Sequence, residues 1–189
     1  MEGHGRIANA ALDFVVTGMN VSPGRLRDQL DDDTTLFVFL RHFGCMFCRE
    51  AISDLRAVSE SDADFPRTLF FFQGTAVEGR AFLRRYWPGA RAVADPTAEL
   101  YDAFGVERGG LLRNLGPAVW KARSRAVAKG HTNGERSGDV WRMPGVMLTR
   151  GDRIEWVHAV QHAADHPDLT EISRINRALR AGETAECRP

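Results

Sequence analysis

Two continuous apolar runs constrain the fold of this 189-residue chain more than any other feature. They are TTLFVFLRHF, which begins at Thr34, and PRTLFFFQG, which begins at Pro66. Both are rich in β-branched and aromatic residues without polar alternation, the pattern of strands that are covered on both faces. Between them, CREAISDLRAVSES repeats apolar residues at helical spacing. The order predicts a βαβ unit in the middle of a sheet.

Strand and helix patterns continue to alternate along the chain. TAVEGRAFLRRYW predicts a helix, RAVAD a strand, and PTAELYDAFG a helix that begins at Pro96 and is capped by Asp95. PGVMLTRGDRIEWVHAV predicts a hairpin that turns at 150–152, and DLTEISRINRALRAG predicts a terminal helix. Sheet units followed by a hairpin and a helix are the order of a thioredoxin-like fold. We therefore predict an α/β protein, a three-layer α/β/α sandwich with a central mixed β-sheet, in one domain over residues 1–189.

The charge balance and the cysteine content limit the classes of function that fit this chain. The chain has 25 Lys and Arg against 25 Asp and Glu, which argues against general attraction to nucleic acid or to anionic membranes. The N-terminus lacks a signal-peptide pattern and no apolar run reaches membrane-spanning length, so we expect a soluble, cytoplasmic protein. Three cysteines cannot build a disulfide framework, and in a reducing compartment a C-x-x-C pair is more often catalytic or metal-binding.

The C-x-x-C pair, Cys45 and Cys48, follows the first apolar run where the helical pattern begins. Sites in open α/β sheets lie beyond the carboxyl ends of the strands. A helix N-terminus favours a thiolate and lowers a cysteine pKa from about 8.5 to about 3.5–7.5 in such motifs. We therefore predict that Cys45 is the nucleophile. Cys48 is predicted to lie one turn into the helix, to be less exposed, and to act as the resolving cysteine that closes a Cys45–Cys48 disulfide. Three flanking residues are candidates for stabilising the thiolate: Arg41, His42 and Arg49, with His42 also a candidate for moving protons.

Three segments carry a family resemblance: FLRHFGCMFCRE, VADPTAELYDAFGV and SGDVWRMPGVMLTRGDRIEWVHAVQHAADHP. Together they resemble the peroxiredoxin-like branch of the alkyl hydroperoxide reductase/thiol-specific antioxidant (AhpC/TSA) superfamily, from about residue 34 to the last helix. The resemblance implies a thioredoxin fold, thiol-dependent oxidoreductase or antioxidant activity, and a redox role for Cys45 and Cys48. It also implies a cis-proline opposite the pair, at Pro144, and makes Trp141, Met143 and Pro144 candidates for the substrate groove.

The chain departs from the wider peroxiredoxin pattern at the reacting cysteine. Typical peroxiredoxins carry Pro-x-x-x-Thr-x-x-Cys, with the threonine helping to bind the peroxide. Here His42 stands three residues before Cys45, and Cys45 stands three before Cys48, so neither cysteine has the threonine or the proline. A peroxide, a disulfide or a related electrophile therefore all fit as the substrate.

A basic segment at about 108–142 is inserted before the Met-Pro strand. Between its end residues Arg108 and Arg142, only Glu135 and Asp139 oppose six cations, and Trp120 and Trp141 lie in the same stretch; the cations are Arg113, Lys121, Arg123, Arg125, Lys129 and Arg136. One interpretation is a lid that recruits an anionic substrate or a protein partner. The other, which we favour, is a solvated helix, PAVWKARSRAVAKG, whose Trp120 and Val127 pack on the core. We expect HTNGERSGD, at 131–139, to order poorly without a ligand.

Two alternative functions compete with the redox hypothesis. A structural zinc site normally needs four Cys or His ligands, and only one C-x-x-C pair is present, with His42 the sole histidine near it in sequence. The fold also serves binding or accessory modules whose thiols are idle. We expect a thiol:disulfide oxidoreductase of the peroxiredoxin-like type that needs neither a metal nor an organic cofactor. Its partners would be a small-molecule peroxide or disulfide and an external thiol reductant, either thioredoxin-like or of low molecular weight; a homodimer is left open. Cys187 is expected to be a dispensable surface thiol.

Overall fold

A computed structural model describes residues 5–182. The strands are Gly5–Arg6 (β1), Val15–Val16 (β2), Gly18–Met19 (β3), Gly24–Arg25 (β4), Thr34–Phe39 (β5), Arg67–Phe72 (β6), Arg91–Ala94 (β7), Gly145–Arg150 (β8) and Arg153–Val157 (β9). The helices are Asn9–Leu12 (α1), Met46–Ser61 (α2), Ala76–Leu83 (α3), Glu99–Ala103 (α4), Leu111–Leu115 (α5), Pro117–Ala128 (α6) and Leu169–Arg180 (α7), and Leu26–Gln29 forms a 3-10 helix. No helix within 5–182 has the length and apolarity to cross a membrane.

The central sheet has seven strands in the order β1-β9-β8-β5-β6-β7-β3. β5, β6 and β7 are parallel neighbours, whereas β8, β9, β1 and β3 pair antiparallel. The sheet is therefore mixed, as the sequence predicts, and β5-α2-β6 is the expected βαβ unit. The β8–β9 hairpin turns at Gly151, whose φ of 53° lies in the left-handed region that glycine adopts without a Cβ clash.

Both faces of the sheet are covered, which explains the continuous apolar runs. Along β5, Leu36 and Val38 belong to one core cluster, whereas Phe37 and Phe39 belong to the other. Helices α2, α3, α6 and α7 contribute to the first cluster, and α1, α4 and the 3-10 helix contribute to the second. The result is the predicted α/β/α layering.

The start of α4 differs from the sequence prediction. The helix begins at Glu99 rather than at Pro96, after a turn in which Ala98 has a φ of 60°. Asp95 is nonetheless its cap, because the buried carboxylate accepts backbone N–H bonds from residues 99, 100 and 101 at 3.0, 2.8 and 3.2 Å. The prediction of the cap is confirmed and the prediction of the first helical residue is wrong.

The orientation of α6 also differs from the prediction. Trp120 and Val127 are 64% and 51% exposed, so the expectation that they pack on the core is wrong. The buried face consists of small residues: Val119, Ala122 and Ala126. The reason is an ion pair at the α2–α6 contact, where Arg125 donates to both oxygens of the fully buried Glu50 carboxylate at 2.7 and 3.0 Å. This ion pair turns the basic face of α6 toward α2 and leaves Trp120 on the outside.

Candidate active site

Cys45 occupies the N-cap position of α2, just beyond the carboxyl end of β5. Its backbone is extended, and its N–H donates to the carbonyl of His42 at 3.1 Å, while its own carbonyl accepts from Arg49 N–H at 3.3 Å. Cys48 lies in the first turn of α2. The strand-to-helix turn therefore places both sulfurs where the sequence predicts them.

Both cysteines are buried, free thiols that lie near each other but not at disulfide distance. Cys45 is 2% exposed and Cys48 is 4% exposed. The burial of Cys48 agrees with the predicted stripe, but the expectation that Cys45 is the more exposed of the two is wrong. Two features cover this sulfur: the guanidinium of Arg41 and a segment of the insert, residues 131–139, which hydrogen-bonds to the start of α2 and which we call the cover segment.

Four hydrogen bonds attach the cover segment to the cysteine turn. The carbonyl of Gly44 accepts from Gly134 N–H at 3.0 Å, and the side-chain oxygen of Asn133 accepts from Met46 N–H at 3.3 Å. Ser137 Oγ accepts from Phe43 N–H at 3.1 Å, and the carbonyl of Thr132 accepts from the Arg49 guanidinium at 2.7 Å. The segment expected to order poorly is thus docked on the site. Arg49 is part of this attachment, and its guanidinium hydrogen-bonds to backbone carbonyls.

Arg41 is the one flanking residue whose side chain contacts a sulfur. Its buried guanidinium donates from Nη1 to Cys45 Sγ at 3.4 Å, and its backbone N–H donates to Cys48 Sγ at 3.3 Å. The remaining donors reach three oxygens of the insert: Arg142 O at 3.0 Å, Asn114 Oδ1 at 2.6 Å and Val140 O at 2.8 Å. Arg41 therefore joins the cysteine pair to both ends of the insert. No local sequence signal identifies Asn114 as a partner, because it lies 73 positions away.

The two thiols have opposite pKa shifts. The thiol of Cys48, followed by the positive charge of Arg41, lowers the pKa of Cys45 to about 6 against the opposing effect of burial. The neighbouring Cys45 and burial raise the pKa of Cys48 well above its ordinary value. In the reduced pair at neutral pH, Cys45 is consequently the thiolate and Cys48 is the thiol that donates a hydrogen bond to it.

His42 cannot supply positive charge at neutral pH. Burial, followed by the charges of Arg41, Arg136 and Arg49, lowers its pKa to about 4. Its Nδ1 is buried with no hydrogen-bond partner among residues 5–182. The neutral ring lines the same cavity as Cys45, so of the two roles expected for His42, stabilising the thiolate by positive charge does not fit, whereas moving protons does.

The two sulfurs line different cavities. Cys45 lines one of about 270 Å³ together with Trp141 and His42, between α2, the two insert helices and the cover segment. Cys48 lines a smaller, mainly apolar one of about 70 Å³ together with Pro144. Met143 is 2% exposed and lines neither. Of the three groove candidates, the structure brings only Trp141 to the cavity of Cys45.

The predicted cis-proline at Pro144 is wrong, since residues 5–182 contain no cis peptide bond. The backbone before Pro144 is extended and paired: Met143 N–H donates to Glu107 O at 2.9 Å, and Gly109 N–H donates to Trp141 O at 2.8 Å. These bonds flank a bridge between residues 108 and 142, and the chain continues directly into β8. Residues 107–109 of the insert thus pair with residues 141–143, which immediately precede the proline that the resemblance predicts to be cis.

A cluster of potential metal ligands lies away from the cysteines. Among the described residues, Glu50, Asp54 and His166 bring one ligand atom each within 4.8 Å of one another. The Glu50 carboxylate already pairs with Arg125 and Lys129, and Asp54 also pairs with Lys129. The cluster includes neither Cys45 nor Cys48. Cys187 lies outside the described residues.

Gly44 packs directly against the backbone of the cover segment. A Cβ at this position would lie 2.3 Å from the carbonyl oxygen of Glu135, and the φ of Gly44 is not positive, so alanine fits the backbone but displaces the cover. We expect Gly44→Ala to speed alkylation of Cys45 by iodoacetamide at neutral pH, roughly tenfold, because local opening exposes the sulfur. Gly110→Ala is the control, because nothing lies within 4 Å of a Cβ there. Equal rates for both variants and the parent would contradict the covering role.

Solved structures of redox proteins share the fold of this chain. The C48S mutant of peroxiredoxin Q from Xanthomonas campestris has a TM-score of 0.63 at 11% identity, covering 96% of this chain and 99% of that one. Peroxidoxin BcpB from Mycobacterium tuberculosis has a TM-score of 0.63 at 15% identity, covering 95% and 99%. A secreted disulfide oxidoreductase of Mycobacterium tuberculosis has a TM-score of 0.55 at 14% identity, covering 90% and 99%. The protein therefore has a thioredoxin-like fold, as predicted.

Sequence comparison gives the family. Residues 54–162 match the family model described as AhpC/TSA antioxidant enzyme. The chain belongs to this family, in agreement with the resemblance seen in its motifs. Prostamide/prostaglandin F synthase of Xenopus laevis is 24% identical, covering 97% of this chain and 93% of the relative, and peroxiredoxin-like 2C of Bos taurus is 21% identical, covering 89% and 79%. The model match begins after Cys45 and Cys48, so it supports the scaffold and leaves the roles of the cysteines to be argued from the site.

Proposed function

We propose that this protein is a thiol-dependent oxidoreductase in which the Cys45 thiolate reduces a small-molecule peroxide. The observation that carries the proposal is the arrangement at Cys45, a buried sulfur that contacts Arg41, has a pKa lowered to about 6 and lines a cavity of about 270 Å³. The family implies thiol peroxidase or oxidoreductase activity in general. The free thiol pair suits a reducing compartment, so we also propose a cytoplasmic location.

In the first step, the Cys45 thiolate attacks one oxygen of the peroxide. An S–O bond forms as the O–O bond breaks, so the sulfur is oxidised to a sulfenic acid and the peroxide is reduced. The leaving oxygen takes up a proton from water and departs as an alcohol, or as water if the substrate is hydrogen peroxide. The hydrogen bond from Cys48 and the positive charge of Arg41 keep the sulfur ionised before the attack.

In the second step, the sulfur of Cys48 attacks the Cys45 sulfenic acid, releasing water and forming the Cys45–Cys48 disulfide. Oxidation of Cys45 removes the thiolate whose hydrogen bond and negative charge raise the pKa of Cys48, so the resolving thiol ionises more readily once Cys45 has been oxidised, which is when it must react. Because the sulfurs are not at disulfide distance, the first turn of α2 must move during this step. Two electrons then restore both thiols, supplied by a low-molecular-weight thiol or, after the cover segment has opened, by a thioredoxin-like protein.

Burial favours a small substrate over a protein disulfide. Cys45 is 2% exposed beneath the cover segment, so a disulfide within a folded protein could reach it only after that segment had opened. A low-molecular-weight disulfide is the second candidate substrate. The observation in its favour is His42 at the position where peroxiredoxins carry the peroxide-binding threonine.

The test is a substrate panel with an excess of dithiol reductant: hydrogen peroxide, an organic hydroperoxide and a small disulfide. We expect wild type to turn over at least one peroxide, Cys45→Ser to lose about a thousandfold or more of that rate, and Cys48→Ser to form a Cys45 sulfenic acid in one turnover. The sulfenic acid is detected by mass spectrometry after trapping. Turnover of the small disulfide alone would favour the second candidate, and a Cys45→Ser variant as active as wild type would refute both.

A further inference from the structure

The cavity that Cys45 lines has an unusual charge distribution. Three arginines line it, Arg41, Arg123 and Arg136, and no aspartate or glutamate does. Within residues 5–182, neither Arg123 nor Arg136 forms an ion pair with a carboxylate. Arg123 instead lies over the ring of Trp120, with 5.8 Å between its guanidinium carbon and the ring centroid. The Arg41 guanidinium is committed to Cys45 Sγ and to three oxygens of the insert, whereas those of Arg123 and Arg136 have no carboxylate partner.

The other arginines within the insert are paired with carboxylates. Arg125 pairs with Glu50, and four further ion pairs lie nearby: Arg108–Asp139, Arg113–Glu107, Lys129–Asp54 and Arg142–Asp102. Pairing is therefore the rule in this segment, and the guanidinium groups of Arg123 and Arg136 at the cavity are the exceptions. A cationic cavity without acidic residues attracts an anion and raises its local concentration. Guanidinium groups bind carboxylates in a bidentate geometry.

An apolar surface adjoins the same cavity. Leu115 and Trp120 line it and are 60% and 64% exposed, and Leu111 and Leu112 of the same helix pair are 67% and 77% exposed. A cavity of about 270 Å³ lies near the lower limit of small-molecule sites, about 300 Å³. It can therefore hold the reacting end of an elongated molecule, while a hydrocarbon chain extends over the exposed leucines.

We propose that Arg123 and Arg136 form a subsite for the anionic group of the substrate, which is an organic hydroperoxide that carries a carboxylate and a hydrocarbon chain. The inference rests on the proposed function of Cys45. The carboxylate binds the two guanidinium groups, the chain packs on Leu115 and Trp120, and the hydroperoxide lies at Cys45. The basic, aromatic segment then recruits an anionic substrate, which is the first of the two interpretations that its composition allows.

The test uses a matched pair of substrates, a long-chain carboxylic acid hydroperoxide and its methyl ester. We expect wild type to show a kcat/KM about tenfold higher for the acid, since two guanidinium groups attract its carboxylate but not the neutral ester, and we expect this preference to shrink as salt screens the exposed charges. Arg123→Gln and Arg136→Gln should each lower the acid rate several times more than the ester rate. Lys121→Gln is the matched control, because Lys121 is exposed on the same helix and does not line the cavity.

A second measurement separates this subsite from the reaction itself. The corresponding long-chain fatty acid, which has no peroxide, should slow alkylation of Cys45 in wild type, and its methyl ester should not. Equal protection by acid and ester, equal turnover of both hydroperoxides, or an equal loss of preference in Lys121→Gln would each overturn the subsite. Selective protection by the acid without turnover of any peroxide would support the subsite and overturn the peroxide-reducing function.

Discussion

Replacing Cys48 with alanine is expected to slow alkylation of Cys45 at pH 6 by about tenfold or more, because the hydrogen bond from Cys48 is the main cause of the lowered pKa of Cys45. Without this donor, the pKa rises toward the ordinary value of about 8.5, and the thiolate fraction at pH 6 falls. Wild type should alkylate with a midpoint near the pKa of about 6. The measurement is the rate of Cys45 alkylation by iodoacetamide as a function of pH.

Cys48→Ser is the informative comparison for this variant. Serine keeps a hydroxyl donor but cannot form a disulfide, so its alkylation midpoint should stay closer to that of wild type than the alanine variant does. Both variants should nevertheless fail to close the disulfide after peroxide treatment. The comparison separates the two roles of Cys48, stabilising the thiolate and resolving the sulfenic acid. Identical alkylation midpoints for wild type, serine and alanine would show that Cys48 does not set the pKa of Cys45.

Arg41→Met is expected to lower the free energy of unfolding by about 3–5 kcal/mol, since each buried acceptor left without its donor costs about 1–3 kcal/mol. The stranded acceptors are Asn114 Oδ1, Val140 O and Arg142 O, and the Cys45 sulfur loses its guanidinium contact as well. The same change should raise the pKa of Cys45, because the charge of Arg41 contributes to its lowering. Chemical denaturation and the pH dependence of Cys45 alkylation measure the two effects.

Two variants control for the Arg41 result. Arg84 is exposed, and Arg84→Met should change the free energy of unfolding by less than about 0.5 kcal/mol. Arg41→Lys keeps the positive charge but lacks the planar fork, so we expect it to preserve more of the low pKa than of the stability. An Arg41→Met protein as stable as Arg84→Met would show that the insert is held mainly by its other contacts.

Much of the scaffold is predictable because local patterns and burial agree there. The runs at 34–43 and 66–74 are apolar on both faces, and the structure buries both faces of β5 and β6. The position of Cys45 at a helix start follows from the change of pattern at that point. The resemblance correctly indicates the family, but its cis-proline does not carry over to Pro144, where pairing with the insert keeps the backbone extended.

The insert is where sequence reasoning fails, and the reasons are physical. On α6, Trp120 and Val127 compete with Val119, Ala122 and Ala126 for the buried face, and both sets fit helical spacing. The decision comes from Glu50, 75 positions away from Arg125, which anchors one side of the helix. The same holds for charge, because composition shows many arginines but cannot show that Arg125 is paired whereas Arg123 is not.

The separate surroundings of the two sulfurs have a kinetic consequence. Only Cys45 lines the cavity of about 270 Å³, whereas Cys48 lines the apolar cavity of about 70 Å³. In the proposed cycle, a thiol entering the larger cavity therefore attacks the sulfur of Cys45 and releases Cys48. Oxidant and reductant therefore use the same cavity alternately, and the cycle is a ping-pong sequence. An excess of either reactant slows the reaction of the other with Cys45.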